Sequence, residues 1–363
     1  MRILVATDAW HPQVNGVVRT YERLAREARV QGAEVVFLSA SEFTSLPCPS
    51  YPSIRLAIPN WKRAGELIEA ARPDFIHVAT EGPVGLMARS FCLRGKRPFT
   101  TSYHTKFPEY ASALLSIPPS WCFSLLRRFH NAGSGMMVAT QSLRTELRRR
   151  GFKRLMPWTR GVDTNLYRPR DVRLFGSDRP VFLYVGRVSK EKNIDAFLEA
   201  DMPGLKVVVG GGPHLPVLKQ RFPQVIFTGP KTGEELAAHY ASADVFVFPS
   251  RTDTFGLVLL EAMASGVPIA AYPVTGPVDV VSRGLSGVLD EDLGKAARAA
   301  LTLDRAKVRE DAFRFTWAKA AELFLNNIGN VSDAVAAHVA AARKTPRSTA
   351  RPAMPAQLAS KTN

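Results

Sequence analysis

Residues 245–281 read VFVFPSRTDTFGLVLLEAMASGVPIAAYPVTGPVDVV, and the order of residue types in this stretch decides the fold. Val245 to Phe248 are uniformly apolar and predict a buried strand. A polar turn follows, Pro249 to Thr254. Apolar residues at helical spacing then predict a helix over about 255–265, stopped by Gly266 and Pro268. Val267 to Ala271 returns to a strand. Strand, helix and strand in this order make a βαβ unit, and parallel sheets built from such units hold their ligands at the carboxyl ends of the strands. The amides of Thr254, Phe255, Gly256 and Leu257 open the helix there, as ready donors to an anion such as a diphosphate. Glu261 falls one to two turns further in, where a carboxylate accepts hydrogen bonds from a ribose diol.

Upstream of this stretch the alternation of strands and helices continues. Val181 to Val185 is strand-like and leads into Gly186-Arg187-Val188-Ser189-Lys190-Glu191-Lys192. Arg187 and Lys192 bracket a turn into a helix, with reach for two oxygens of one diphosphate. Leu205 to Val209 ends in Gly210-Gly211-Gly212, and Gly211 is a candidate for close approach of a nucleotide. The N-terminal half has the same texture: strands at Arg2 to Thr7, Glu34 to Ser39, Asp74 to Ala79 and Pro98 to Ser102, and a helix at Val17 to Gln31. Asn15 and Gly16 form a turn after the first strand. Two further strand ends carry polar residues, Thr80-Glu81-Gly82-Pro83 and Tyr103-His104-Thr105-Lys106. Thr159 to Asp171 reads as an interdomain linker. Helices are expected over 291–303 and 305–328, and residues 343–363 read as a disordered basic tail. Asp290-Glu291-Asp292 falls at a helix start and reads as capping.

The 363 residues hold two domains of ordinary size, 1–165 and 172–328, with a net charge of +16. About +12 of it lies in 1–171, about −1 in 172–342 and the remainder in the tail. A basic half beside a neutral half implies a face made for a polyanion, nucleic acid or an anionic membrane. In 107–132, Trp121 and several leucines are mixed with Arg127 and Arg128, and a second cluster follows at Arg148, Arg149 and Arg150. A pair of core helices broken at Pro118-Pro119 explains the apolar residues. A surface lying in a bilayer interface explains apolar residues and cations together. No apolar run approaches the ~18 residues of a membrane span. Cys48, Cys92 and Cys122 fit no metal or redox spacing and are expected in a reducing cytoplasm.

Asp253, seven residues and Glu261 resemble the paired-acid motif of retaining GT-B glycosyltransferases of family four, which usually carry Glu at both ends. The likeness extends through SRTDTFG and EAMASGVP, the glycine loop HPQVNGVVRT, the Gly-Arg…Glu-Lys pattern at 186–192 and SYHTKFPEY at 102–110. It implies two Rossmann-like domains facing across a cleft, with a late helix crossing back to the first. It also implies roles. Arg187 and Lys192 clamp the diphosphate, Glu261 binds the ribose, and Asp253 and His104 contact the transferred sugar. Asn15 and Gly16 lie near the phosphates, and Tyr103, Thr105 and Lys106 lie on the acceptor side. For Glu81, turn stabilisation stands beside an acceptor role.

The implied enzyme moves a hexose or uronic acid from a UDP- or GDP-linked sugar to a lipid such as diacylglycerol, with retention and with no metal or other cofactor. It would work at the inner face of the cell membrane, as a peripheral cytoplasmic protein. The segments HVATEGP and YHTKFPEY look most similar to bacterial lipid glucosyl- or mannosyltransferases, and a phosphoinositide-like or soluble acceptor is the alternative. A nucleotide-sugar epimerase shares the shape, but the Asp253…Glu261 signature counts against it. A nucleic-acid-binding protein would explain the charge, yet no recognised nucleic-acid motif occurs and no such partner is expected.

Overall fold

The computed structural model describes residues 1–13, 16–48, 51–104, 119–176 and 178–344. The first half runs β1 (Arg2–Thr7), α1 (Gly16–Val30), β2 (Glu34–Ser39), a hairpin of β3 (Ser45–Cys48) and β4 (Tyr51–Ala57), then α2 (Trp61–Ala71) and β5 (Phe75–Val78). It continues through α3 (Pro83–Arg94), β6 (Phe99–Tyr103), α4 (Pro119–His130), β7 (Gly135–Val138), α5 (Gln141–Arg149) and β8 (Leu155–Pro157). The second half runs β9 (Val181–Val185), α6 (Ile194–Glu199), β10 (Leu205–Val209), α7 (Leu215–Arg221), β11 (Ile226–Gly229), α8 (Gly233–Ala241) and β12 (Val245–Phe248). It ends with α9 (Leu257–Ala264), β13 (Ile269–Ala271), α10 (Pro277–Val280), β14 (Gly287–Leu289), α11 (Leu293–Ala300), α12 (Arg305–Ala312) and α13 (Trp317–Lys344).

Twelve of these strands form two six-stranded parallel sheets, ordered β2-β1-β5-β6-β7-β8 and β11-β10-β9-β12-β13-β14. Both are Rossmann-like. Every residue of VFLYV (181–185) and VFVF (245–248) is buried, because helices cover both faces. Strand alternation divides the second core. Val181, Leu183 and Val185 pack towards α8, α9 and α12, while Phe182 and Tyr184 pack towards α6, α7 and α11. The first sheet does the same. Leu4 and Ala6 face α2, α3 and Phe129 of α4, and Ile3 and Val5 face α1 and α13.

The chain crosses between the units twice, and the two crossings touch. Val162, on the way out, forms an isolated parallel bridge with Thr316, on the way back, and its amide donates to the Phe315 carbonyl at 3.1 Å. A Cβ on Gly161 would lie 2.4 Å from the Trp317 nitrogen, so no side chain fits there. Past this point α13 lies on the first unit. Ala321, Phe324, Ile328 and Val331, spaced as one helical stripe, are buried against Tyr21, Leu24 and Trp158. Trp158 Nε1 donates to the Ala320 carbonyl at 3.0 Å, and Asn327 Nδ2 donates to that of Pro157 at 2.8 Å. The expected crossing helix is α13.

Several expected boundaries move. The helix expected over 305–328 is two helices, interrupted at 313–316 by the pairing with Val162, and the second runs to Lys344. The helix expected from residue 255 starts at Leu257, because Gly256 sits in the left-handed region with φ 87°. The β3–β4 hairpin was not anticipated. Asp292 caps α11 by accepting from the Lys295 amide at 2.9 Å, as its position suggested. Cys92 and Cys122 are buried free thiols. The expected disordered tail, 343–363, lies outside the described residues apart from Arg343 and Lys344, which end α13.

Because α13 is held by its apolar stripe, Phe324→Ala should destabilise the protein by about 3–5 kcal/mol. Val217→Ala, on the exposed side of α7, should stay within about 0.5 kcal/mol. Urea unfolding curves of the two variants check this, and equal midpoints would show that α13 adds nothing to the first unit.

Candidate active site

In the second sheet the chain winds outward from β9 to β11 and then restarts with β12 on the other side of β9. The crevice beyond the carboxyl ends of β9 and β12 is therefore the switch point where such sheets bind ligands. Backbones crowd there. A Cβ on Gly210 would lie 1.8 Å from the Gly186 carbonyl oxygen, and one on Gly212 would lie 2.3 Å from that of Val188. Gly211, singled out from the sequence, has only ordinary contacts, so its two neighbours carry the steric demand. Arg187 is exposed at the end of β9, and its carbonyl accepts from the Tyr184 hydroxyl at 2.9 Å. Lys192 closes a 3-10 turn and donates through Nζ to Asp253 Oδ1 at 2.6 Å, from the β9 side of the crevice to the β12 side. The other oxygen, Asp253 Oδ2, is buried without a hydrogen-bond partner among the described residues.

Helix α9 starts beside this pair. Its N-cap, Gly256, supplies no side-chain cap, and a Cβ there would press to 3.0 Å on Leu259. Glu261 is only 7% exposed. Its Oε2 accepts from the Tyr240 hydroxyl at 2.8 Å, and Arg19, from α1 of the first unit, comes within 3.8 Å of Oε1. Burial raises the Glu261 carboxyl above the usual carboxylate range, against the opposing pull of Arg19, Tyr240 and Tyr167. The same burial raises the phenols of Tyr240 and Tyr167, so both remain donors.

The first unit presents its own strand ends to this surface. Thr254 Oγ1 donates to the carbonyl of His104, just beyond β6, at 2.8 Å. The α1 start meets α9, with Leu257 Cδ1 3.6 Å from a Cβ built on Gly16. Asp279 of α10 accepts from Ser142 of α5, through the amide at 2.9 Å and the hydroxyl. The His104 ring is engaged on both sides. Arg160 Nη2 lies 3.0 Å from Nδ1, and the Tyr21 hydroxyl lies 3.0 Å from Nε2. Burial, then Arg160, His77 and His130, hold its pKa well below the ordinary histidine value. Asp8 organises the next strand end: it accepts from Thr80 at 2.7 Å and from the Val84 amide at 2.8 Å, capping α3.

Among the patterns of known families, "Glycosyltransferase Family 4" matches residues 14–166 and "Glycosyl transferases group 1" matches 179–304. The chain belongs to the family-four GT-B glycosyltransferases. It is 29% identical over 306 residues to the sulfoquinovosyl transferase SQD2 of Arabidopsis thaliana, covering 76% of this chain and 60% of that one. With a GDP-mannose-dependent alpha-mannosyltransferase of Corynebacterium glutamicum it shares 29% over 321 residues, 80% and 76% of the two chains. With the alpha-monoglucosyldiacylglycerol synthase of Streptococcus pneumoniae it shares 28% over 347 residues, 83% and 78%. Its fold matches Anabaena HepE, solved with UDP and glucose, at a TM-score of 0.71 and 17% identity, over 91% of this chain and all of that one.

In this glycosyltransferase the sequence-chosen residues divide into groups. Lys192, Asp253, Thr254, Gly256, Leu257, Glu261, Gly16 and the His104 carbonyl converge on the cleft, with Arg187 at its β9 edge. Phe255 is buried in the second core. Tyr103 is withdrawn from the acceptor side: its ring is 1% exposed and packs with Phe123, Leu126 and Phe152. Alternation along β6 sends residues 103 and 104 to opposite sides. Glu81 Oε1 lies 3.1 Å from Nε2 of His130 on α4. Asn15, Thr105 and Lys106 lie outside the described residues. Arg160, Tyr21, Arg19, Tyr240 and Asp279 were missed. Arg160 was visible only as a basic residue inside the linker segment, Arg19 and Asp279 lay inside the quoted segments 11–20 and 245–281 without being singled out, and Tyr21 and Tyr240 carried no local signal.

Burial raises the Glu261 carboxyl, so the stability it contributes is present below the unfolded value and lost as pH rises through the folded one. Glu261→Gln should therefore raise the urea midpoint of the ligand-free protein at pH 7, with the gain shrinking as pH is lowered. Glu261→Ala should weaken nucleotide binding about ten- to a hundredfold, the worth of a hydrogen bond to a charged acceptor, while the Gln variant keeps part of the affinity. Calorimetric titration with UDP and GDP checks this; unchanged affinity in the Ala variant removes Glu261 from the nucleotide site.

Proposed function

We propose that the protein transfers a hexose or uronic acid from a UDP- or GDP-linked sugar to a hydroxyl of a membrane lipid such as diacylglycerol, with retention at the anomeric carbon. The observation that carries this reading is the Lys192–Asp253 pair at the switch point. The ammonium lies beside the uncapped start of α9, where a diphosphate would meet helix amides, and Asp253 keeps a buried oxygen without a partner. A sugar hydroxyl is the donor that such an oxygen lacks. In the reaction the bond from the anomeric carbon to the diphosphate oxygen breaks, and the electron pair leaves on the phosphate. The acceptor oxygen bonds that carbon, and its proton goes to the departing phosphate. Arg187, Lys192 and the α9 amides meet the charge that grows there, so binding strengthens as the reaction proceeds. The nucleotide sugar is a co-substrate, and the scheme needs no further cofactor.

A lipid acceptor is supported by the diacylglycerol-glucosylating relative and by one surface of the first unit. Helices α2, α3 and α4 form a layer on one face of the sheet, opposite α1 and α13. On its outside Trp121 and Leu125, one helical turn apart on α4, are 72% and 69% exposed. Trp61 and Leu93 are exposed on α2 and α3, and Arg127, Arg128, Arg148 and Arg149 flank the layer. Apolar side chains in the interface with cations on the headgroups are the pattern of peripheral docking on an anionic, inner-leaflet surface. Arg150 contributes less, since it pairs with Glu146 and lies 3.9 Å over the Phe123 ring. No described helix is long and apolar enough to cross a membrane. The second reading, mannosyl transfer from GDP-mannose to a phosphoinositide-like or soluble acceptor, is supported by the mannosyltransferase relative at the same 29% identity.

Purified protein incubated with extracted lipids and labelled nucleotide sugars should release nucleotide diphosphate and yield a labelled glycolipid. Release that needs no acceptor, or label only in water-soluble product, rejects the lipid assignment. Vesicle co-sedimentation should require anionic lipid and decline with salt, and Trp121→Ser with Leu125→Ser should remove the part that salt leaves. Equal binding to neutral and anionic vesicles is the outcome that discards the electrostatic contribution.

A further inference from the structure

Arg160 follows β8 at the outgoing crossing and is 5% exposed. Among the described residues no carboxylate forms an ion pair with it, and burial lowers its pKa to about 10. Its Nη1 donates to the carbonyls of Trp158 and Thr159 at 3.3 and 3.1 Å, its plane lies 4.2 Å over the Trp158 ring, and Nη2 meets His104 Nδ1 at 3.0 Å. A buried guanidinium whose one side-chain hydrogen-bond partner among the described residues is an imidazole is a costly arrangement, and it has a chemical consequence. Arginine can only donate, so Nδ1 of His104 must be the acceptor. The proton of the neutral ring is then on Nε2, which donates to the Tyr21 hydroxyl. Tyr21 hands the direction on to Ser102 at 3.3 Å and lies 2.9 Å from His77 Nε2, and His77 Nδ1 is anchored by Thr100 at 2.8 Å.

We propose that Arg160 is a positioning residue for glycosyl transfer: it locks His104, whose carbonyl Thr254 of the nucleotide loop bonds, as the neutral Nε2–H tautomer. The proposal rests on the reading that His104 borders the transferred sugar. Positive charge develops on a sugar ring as the glycosidic bond breaks. An imidazolium beside it would oppose the reaction, and a rotated ring would lose its bonds to Arg160 and Tyr21. Of the groups around His104, Arg160, His77 and His130 all disfavour the charged ring. Arg160 lies on one side, Tyr21 of α1 on the other, His77 of β5 behind, and His130 of α4 beyond, itself held by Thr101 and Glu81.

The test is a ¹H–¹⁵N spectrum of protein labelled at the nitrogens of its seven histidines, with the His104 signals assigned by their loss in His104→Asn. Wild type should show His104 as the Nε2–H form between about pH 5.5 and 8. In Arg160→Met, Nδ1 loses its donor and a neighbouring charge together, so the ring should sample the other tautomer and take up a proton at higher pH. Arg160→Lys, which still donates, should keep the wild-type spectrum. Alongside, kcat should fall about ten- to a hundredfold in Arg160→Met, with nucleotide affinity changed less than about threefold and partial rescue by Lys. A wild-type ring found as the Nδ1–H form or as imidazolium overturns the proposal, and so does an unchanged tautomer in Arg160→Met. The spectra need no substrate, so an error in the assigned donor or acceptor leaves this part standing.

Discussion

The closeness of Gly161 to Trp317 governs the architecture. Two parallel sheets expose their ligand-binding ends at strand termini, and here the chain leaves the first unit, builds the second and returns through one narrow passage. A Cβ at residue 161 would lie 2.4 Å from a backbone nitrogen, which makes the passage a backbone-on-backbone contact. With Val162 and Thr316 paired there, α13 is delivered to the far face of the first sheet and the second sheet's switch point is turned towards His104.

Around that cleft the polar groups are oriented by buried neighbours before any substrate arrives. Glu261 is held by tyrosines, Lys192 by Asp253, and Asp8 by Thr80 and the first turn of α3. Such arrangements cost folding free energy, because charges and hydroxyls are removed from water. They recover it as reduced rearrangement on binding, the general benefit of a preorganised site. The Asp at 253 fits this account. It is short enough to lie 2.6 Å from the Lys192 ammonium through one oxygen while the other stays uncommitted.

Much of this was legible in local sequence. A uniformly apolar VFVF specifies a strand buried on both faces, and Glu261 on the helix after it follows from spacing alone. Residues 102–110 stood out as a unit, and strand alternation applied to residues 103 and 104 would have assigned the tyrosine to the core. The break at 313–316 was hidden, since FRFT contains neither glycine nor proline and is interrupted only by pairing with Val162. The β3–β4 hairpin was masked by Pro47 and Pro52, which lower the strand signal. Arg160 and Tyr21 meet His104 across 56 and 83 residues of chain, and no periodicity encodes a contact of that kind.

Helix α5 is nine residues, about 13 Å of rigid rod. At one end Ser142 is gripped by Asp279 of the second unit; at the other, Arg148 and Arg149 stand in solvent at the edge of the apolar layer. Between the two ends Leu143 and Leu147 are buried in the first unit, so one packed helix spans from the seam between the units to the basic edge of the surface proposed to meet the membrane.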